Sequence, residues 1–144
     1  MLHDQQIITK ISDMLISYEN RYSTLSIDDM IRFQSKLSLL SVNLASIAAK
    51  SKGSYLRVYF ERKYTFSTKK LDWIKKGSSA AKAEEQARLE IGDIKEIEIQ
   101  REEESDAISL MLRQINKVLS SVQQRISFEK MEYERTMKQS SQLK

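Results

Sequence analysis

The most constraining feature of this chain is an absence: no proline occurs in its 144 residues, and only three positions are glycine. Proline breaks helices and occupies many turns and edge strands, so its absence favours long uninterrupted helices. Apolar residues make up 40% of the chain and charged residues 31%, which is too apolar for disorder and too charged for a large globular core. The sequence therefore predicts an all-α protein. It argues against most all-β folds and against glycine-rich nucleotide-binding loops.

Apolar spacing predicts two helices in the first half of the chain. A stripe from Ile7 to Tyr22 recurs at helical intervals and indicates a first helix over residues 4–22. Ser26, with Asp29 three residues later, has the pattern of an N-cap with an acidic first turn. A second apolar stripe follows, so we expect the second helix over residues 27–76.

The clearest turn is Lys76-Gly77-Ser78-Ser79. Glycine suits the position just after a helix, and either serine can cap the next one, which predicts a third helix over residues 79–137. Gly53 and Gly92 mark possible breaks near 53 and 92, because glycine costs a helix about 1 kcal/mol relative to alanine. We expect residues 1–144 to form a single helical unit.

A third helix of this length would span roughly 90 Å, more than the other two helices of one chain can cover. We therefore expect a long helical hairpin or coiled-coil-like bundle of three main helices, completed by oligomerisation. The alternative is a monomeric bundle that folds back at Gly53 and Gly92. A sustained heptad-like repeat near the C-terminus supplies the predicted oligomer interface: Ile108, Met111, Leu112, Ile115, Leu119, Val122 and Ile126.

The net charge of +4 conceals two oppositely charged blocks. Residues 51–82, the basic block, carry nine basic and two acidic side chains, whereas residues 83–106, the acidic block, carry three basic and ten acidic ones. Such segregation predicts either a surface that binds a polyanion or complementary faces that pair within or between chains.

The segment Tyr55–Lys76 combines seven of the nine cations of the basic block with six of the chain's eleven aromatic residues. On a helix, one aromatic stripe faces one way, and a second apolar patch formed by Phe60, Tyr64 and Leu71 points roughly opposite. Single-stranded nucleic acid needs cations for its phosphates and flat rings for its unstacked bases. The predicted cations are Arg57, Arg62, Lys63, Lys69, Lys70, Lys75, Lys76 and Lys82. The predicted stacking platforms are Tyr55, Tyr59, Phe60 and Tyr64.

Two other interpretations of this segment stay open. An aromatic stripe at helical spacing is usually core, and its flanking lysines then extend their charges into water. The basic block could also pair with the acidic block of the same or another subunit.

Several functional classes are disfavoured. The chain has no cysteine and one histidine, His3, so thiolate chemistry and the usual metal sites are not expected. No Ser/His/Asp set or P-loop occurs, and we expect no enzyme activity, catalytic residue, cofactor or metal. The N-terminus lacks the basic region of a signal peptide, and no apolar run is long enough to span a membrane. We expect a cytoplasmic protein without a membrane partner.

Residues 44–135 resemble phage recombination mediators of the UvsY type. The resemblance is carried by the basic-aromatic helix Tyr55–Lys76, the acidic spacer after it, and the C-terminal helix Ile108–Tyr133. That helix contains Leu112-Arg113-Gln114-Ile115-Asn116 and Gln124-Arg125-Ile126. The resemblance implies a small helical homo-oligomer that binds single-stranded DNA along the basic helix and helps to load a recombinase onto strands covered by single-strand-binding protein, in the cytoplasm of an infected host cell.

Two functional hypotheses follow. The first is a non-enzymatic accessory protein that binds single-stranded DNA as a homo-oligomer, with a recombinase or single-strand-binding protein as a further partner. The second is a structural coiled-coil, adaptor, virion or scaffold protein that assembles through helical packing and pairing of its charge blocks.

Overall fold

The structure, a computed structural model, describes residues 2–144, with side chains from His3 onward. These residues form four α-helices: α1 (Leu2–Arg21), α2 (Ile27–Lys75), α3 (Ala80–Glu90) and α4 (Gly92–Gln142). The predicted all-α fold is confirmed for the described part of the chain. The segment predicted as a third helix forms two helices, since α3 ends at Glu90 and α4 begins at Gly92. At the other possible break, Gly53, α2 continues without interruption.

The helix ends follow from local sequence. The Ser26 hydroxyl accepts a hydrogen bond from the backbone N–H of Asp29 at 3.2 Å, and Ser79 accepts one from Lys82 at 3.3 Å, so both act as N-caps. Gly77 has φ +94°, and the N–H groups of Gly77 and Ser78 donate to the carbonyls of Ile74 and Trp73, each at 3.0 Å. This pair of bonds is a Schellman C-cap, which the glycine makes possible.

The contacts divide the chain into two compact units. Unit 1 comprises the residues up to Ser46 together with Leu110–Lys144, and unit 2 comprises Ile47–Ser109. Helices α2 and α4 therefore each contribute one part to either unit.

Unit 1 is a three-helix packing of α1 with the first part of α2 and the last part of α4. Its cluster joins Tyr18 of α1, Met30 of α2, and Val122 and Ile126 of α4. The Tyr18 ring stacks on Phe33 with 4.9 Å between the ring centroids. Large aliphatic side chains thus fill the space between these helices and stabilise the unit by removing apolar surface from water.

Polar contacts fix the same helices in register. The amide of Gln34 on α2 donates to the amide oxygen of Gln123 on α4 at 2.6 Å. The guanidinium of Arg125 donates to the backbone carbonyl of Tyr22 and lies 4.7 Å from the centroid of the Tyr22 ring. The end of α1 is thereby attached to α4.

Candidate nucleic-acid interface

In unit 2, the inner side of α2 is held to α4 by a partly buried ion pair. Arg62 donates two hydrogen bonds to the Glu98 carboxylate, one from Nε to Oε2 and one from Nη2 to Oε1 at 3.3 Å. Glu98 retains only 8% of its accessible surface. The bond to Glu98 raises the pKa of Arg62 above its ordinary value. Arg62 is therefore committed to a partner in its own chain.

Two further cations of the basic block also meet acidic residues of unit 2. Lys69 Nζ lies 3.6 Å from a carboxylate oxygen of Glu90, and Lys70 Nζ lies 3.7 Å from one of Glu84. The indole N–H of Trp73 donates to the other oxygen of Glu90 at 3.0 Å. The two charge blocks thus pair within one chain at these positions, which is one of the three interpretations that the sequence leaves open.

Two of the four predicted stacking rings lie on the half-buried side of α2. Tyr55 and Tyr59 are 6.2 Å apart between centroids, and the Tyr59 ring has the Arg62 guanidinium at 5.3 Å and Lys63 Nζ at 4.6 Å. Partial burial and the nearby carboxylates of Glu102 and Glu98 raise the pKa of Tyr55 above its ordinary value, because both disfavour the phenolate. These rings are occupied by contacts within unit 2.

The opposite side of α2 in unit 2 has a different character. We call this side the outward face of α2. It consists of the exposed residues between 56 and 75 whose direction around the helix axis differs from that of Phe60 by no more than about 60°, when each residue turns the helix by ~100°. Its nine members are Leu56, Arg57, Phe60, Lys63, Tyr64, Ser67, Leu71, Ile74 and Lys75. Phe60 is 62% exposed and Tyr64 75% exposed. The face carries three cations and no acidic residue.

The remaining predicted cations lie around the turn between α2 and α3. Lys76 Nζ is 4.9 Å from the centroid of the Trp73 ring, and Lys82 is exposed in the first turn of α3. The structure thus separates the eight predicted cations into two groups. Arg62, Lys69 and Lys70 form intrachain ion pairs, whereas the others project from the outward face or the turn: Arg57, Lys63, Lys75, Lys76 and Lys82.

Three of the seven predicted oligomer-interface residues are buried inside the chain, and four are half-buried. Ile115, Val122 and Ile126 are buried in unit 1, where Val122 and Ile126 contact Tyr18 and Met30. Ile108, Met111, Leu112 and Leu119 are half-buried. Packing within the chain thus covers Ile115, Val122 and Ile126, which offer no free apolar surface to a second copy.

A groove in unit 1 was not indicated by the sequence. This groove of about 580 Å³ lies between α1 and α4, and its lining residues are Leu15, Ile16, Tyr18, Glu19, Tyr22, Gln114, Lys117 and Val118. Its walls are mainly apolar. Helical spacing places Leu15, Tyr18 and Tyr22 in one apolar stripe of α1, which the sequence alone predicts to be covered by other helices. The position of α4 leaves part of this stripe open to the groove.

Among the residues that the structure describes, no group of three or more His, Cys, Asp or Glu side chains is arranged to hold a metal ion. Within residues 2–144, no helix combines the length and apolarity needed to cross a bilayer. Comparison with protein-family models, curated proteins and solved structures finds no match.

Proposed function

We propose that this protein is a non-enzymatic accessory factor that binds single-stranded DNA and acts as a homo-oligomer, in the manner of a recombination mediator in the cytoplasm of an infected cell. The observation that carries the proposal is the outward face of α2. Two exposed rings, Phe60 and Tyr64, share this face with the cations Arg57 and Lys63, and the face as defined has no acidic residue.

This combination suits an unpaired strand for two physical reasons. Cations that attract phosphates contribute affinity that is independent of base sequence and falls as salt rises. Exposed rings accept unstacked bases, and each stacked base is worth about 1–3 kcal/mol. A solvated face that served only solubility would gain nothing from two large exposed aromatic rings, since exposed apolar surface promotes association.

The DNA-contacting set is accordingly narrower than the sequence suggested. We assign phosphate contacts to Arg57, Lys63, Lys75, Lys76 and Lys82, and base stacking to Phe60 and Tyr64. Arg62, Lys69 and Lys70 instead neutralise carboxylates of the acidic block. Replacing Arg62 would leave the buried Glu98 carboxylate without its partner, so Arg62 is unsuitable for a binding test.

The test compares two variants with the same change of charge. Arg57→Gln/Lys63→Gln removes two cations from the outward face, and Arg32→Gln/Lys36→Gln removes two exposed cations from the part of α2 in unit 1. Fluorescence anisotropy with a labelled single-stranded oligonucleotide should show at least about tenfold weaker binding for the first variant. Its log–log salt slope should also be shallower by about 1.4, or ~0.7 for each phosphate that is no longer neutralised. Equal affinities for the two variants would overturn the proposal.

The stacking role has its own measurement. Phe60→Leu/Tyr64→Leu keeps apolar character but removes both rings. Affinity should fall by about 1–3 kcal/mol for each base that no longer stacks, while the salt slope stays as in the parent because no cation is removed. An unchanged affinity would show that these rings do not contact bases.

A second candidate function is that of a structural assembly protein with coiled-coil-like packing. It is favoured by Leu56, Leu71 and Ile74, which are exposed at helical spacing along the outward face of α2 and could receive another helix. This function predicts self-association that weakens with salt and no binding of the oligonucleotide at ~0.1 M salt. The anisotropy experiment therefore separates the two candidates.

A further inference from the structure

The acidic block also has an outward face, on α4. Seven exposed residues between 93 and 107 lie within about 60° of Gln100 and opposite the buried Glu98: Asp93, Glu96, Ile97, Gln100, Glu103, Glu104 and Ala107. Four of them are acidic and none is basic. Glu104 has a local partner in Arg101, at 3.4 Å, and both side chains of that pair are largely exposed. We call these seven residues the outward face of α4.

The outward faces of α2 and α4 are complementary in charge and comparable in size. The α2 face carries three cations and no acid over about 29 Å, and the α4 face carries four acids and no cation over about 21 Å. Arg57 and Lys63 are about 9 Å apart along their axis, and Glu96 and Glu103 are about 10 Å apart along theirs. Both faces also expose apolar side chains, such as Leu71 and Ile97.

Complementarity of this kind decides which surfaces can meet. Two α2 faces would bring like charges together, and so would two α4 faces, and such juxtapositions cost several kcal/mol. Since Arg62 and Glu98 join the inner sides of α2 and α4, the two outward faces of one unit 2 point away from each other. The outward faces of α2 and α4 in one unit 2 therefore cannot contact each other, but the α2 face of one copy can contact the α4 face of another.

We infer that the outward face of α4 is the docking surface for the outward face of α2 of a second copy of this chain. The contact is heterologous, because each copy uses a different surface, and it leaves one face of each kind open at the ends of a pair. Such contacts close into rings or continue as filaments. This inference deepens the self-association part of the proposed function, and it does not depend on nucleic-acid binding.

Docking of the two faces would compete with the proposed DNA site. A nucleic-acid strand and the α4 face of a neighbouring copy would contact the same cations, Arg57 and Lys63. A strand would compete with the neighbour for an α2 face that is already docked, since phosphates and carboxylates compete for the same charges, whereas the α2 face left open at the end of a pair can bind a strand without dissociating the pair.

A reciprocal charge exchange tests the docking. Glu96→Lys/Glu103→Lys makes the α4 face basic, and Arg57→Glu/Lys63→Glu makes the α2 face acidic. At ~0.1 M salt, light scattering should give the parent a mass of at least twice the 16.8 kDa of one chain, and each variant alone 16.8 kDa. Mixing the two variants should restore the larger mass, because each then offers the face that the other needs.

The control Glu132→Lys/Glu134→Lys makes the same charge change at exposed positions of α4 in unit 1 and should keep the mass of the parent. Circular dichroism reports that each variant is folded. If one variant is not, the milder Glu96→Gln/Glu103→Gln should still lower the mass. A parent at 16.8 kDa, a variant with the parent's mass, or a mixture that stays at 16.8 kDa would overturn the inference.

The same proteins separate this inference from the proposed function. Glu96→Lys/Glu103→Lys leaves the α2 face intact, so it should lose self-association and still bind the oligonucleotide. If Glu96→Lys/Glu103→Lys loses self-association but neither it nor the parent binds the oligonucleotide, the result would support the docking and overturn the proposed function. If the protein binds DNA but Glu96→Lys/Glu103→Lys does not change its self-association, the result would support the proposed function and overturn the docking.

Discussion

Each of the two units of this protein has a different kind of core. The largest fully buried side chains all belong to unit 1: Ile11, Met30, Leu37, Leu44, Ile115 and Val122. Unit 2 instead buries Ile47, Ala83, Ala87 and Ile91, together with Glu98 and Ser105. Alanines allow helices to approach closely but remove little apolar surface. Unit 2 therefore depends more on directional contacts, above all the Arg62–Glu98 pair, and unit 1 on burial.

The largest expected effect lies in unit 1. Leu37→Ala removes a fully buried side chain and should lower the free energy of unfolding by about 2–5 kcal/mol, because it loses burial and leaves a cavity. Leu39→Ala on the same helix is the control: Leu39 is 69% exposed, and its replacement should change stability by less than about 0.5 kcal/mol. Urea unfolding followed by circular dichroism measures both. Similar values would contradict the packing of α2.

The second prediction concerns the ion pair of unit 2. Arg62→Met alone leaves a buried carboxylate without its partner and should cost about 2–3 kcal/mol, less than the ~3–5 kcal/mol of a fully buried pair because the Arg62 side chain keeps 24% exposure. The double variant Arg62→Met/Glu98→Leu should recover most of that loss, since no charge then remains buried. If the double variant is no more stable than Arg62→Met, Glu98 is not a buried carboxylate that depends on Arg62 as its partner.

The third prediction tests the backbone of unit 2 at two glycines. Gly77→Ala places a side chain at φ +94° and should destabilise the protein by about 1–2 kcal/mol, although the added methyl meets no atom within 4 Å. Gly53→Ala in the middle of α2 also has free space, and it should stabilise the protein by about 0.5–1 kcal/mol because alanine favours helix. Thermal unfolding would show midpoint shifts of opposite sign; shifts of the same sign would contradict the assigned conformations.

The smallest effect is a pH dependence at Tyr55. Its raised pKa means that the folded state favours the neutral phenol, so its stabilising contribution is complete below the ordinary value of 10.0 and is lost as pH rises through the higher folded value. The unfolding free energy of the parent should therefore fall relative to Tyr55→Phe as the pH rises above about 10. Measuring both proteins cancels the common titration of the lysines. A difference independent of pH would contradict the described environment of Tyr55.

Much of the helical framework could be predicted because its determinants are local. Ser26 and Ser79 cap helices through bonds that span three residues, and Gly77 takes a backbone conformation that few other residues adopt. The uninterrupted course of α2 through Gly53 could not be fixed in advance, since a penalty of about 1 kcal/mol is small beside the contacts of a 49-residue helix. For the same reason Gly92 indicates only a possible break, which the structure places at Ile91.

The candidate site was predictable as a segment but not as a set of side chains. Helical spacing placed Tyr55 and Phe60 on opposite sides of α2, and the exposure of the two rings differs accordingly. Spacing could not tell Arg62 from Lys63, because both flank the same aromatic stripe in the sequence. The position of Glu98 on α4, 36 residues away, decides that Arg62 is paired, whereas Lys63 is exposed and has no carboxylate partner of this kind in the described part of the chain.

By itself, the sequence determined that the chain is helical where it is described, where most helices begin and end, and that its positive and negative charges form separate blocks, since these follow from residue type and near neighbours. Only the tertiary structure decided which cations are neutralised and which residues of α4 are already buried. Those outcomes depend on how α2, α3 and α4 pack, and contacts between residues far apart in the chain are not encoded in any one stretch of it.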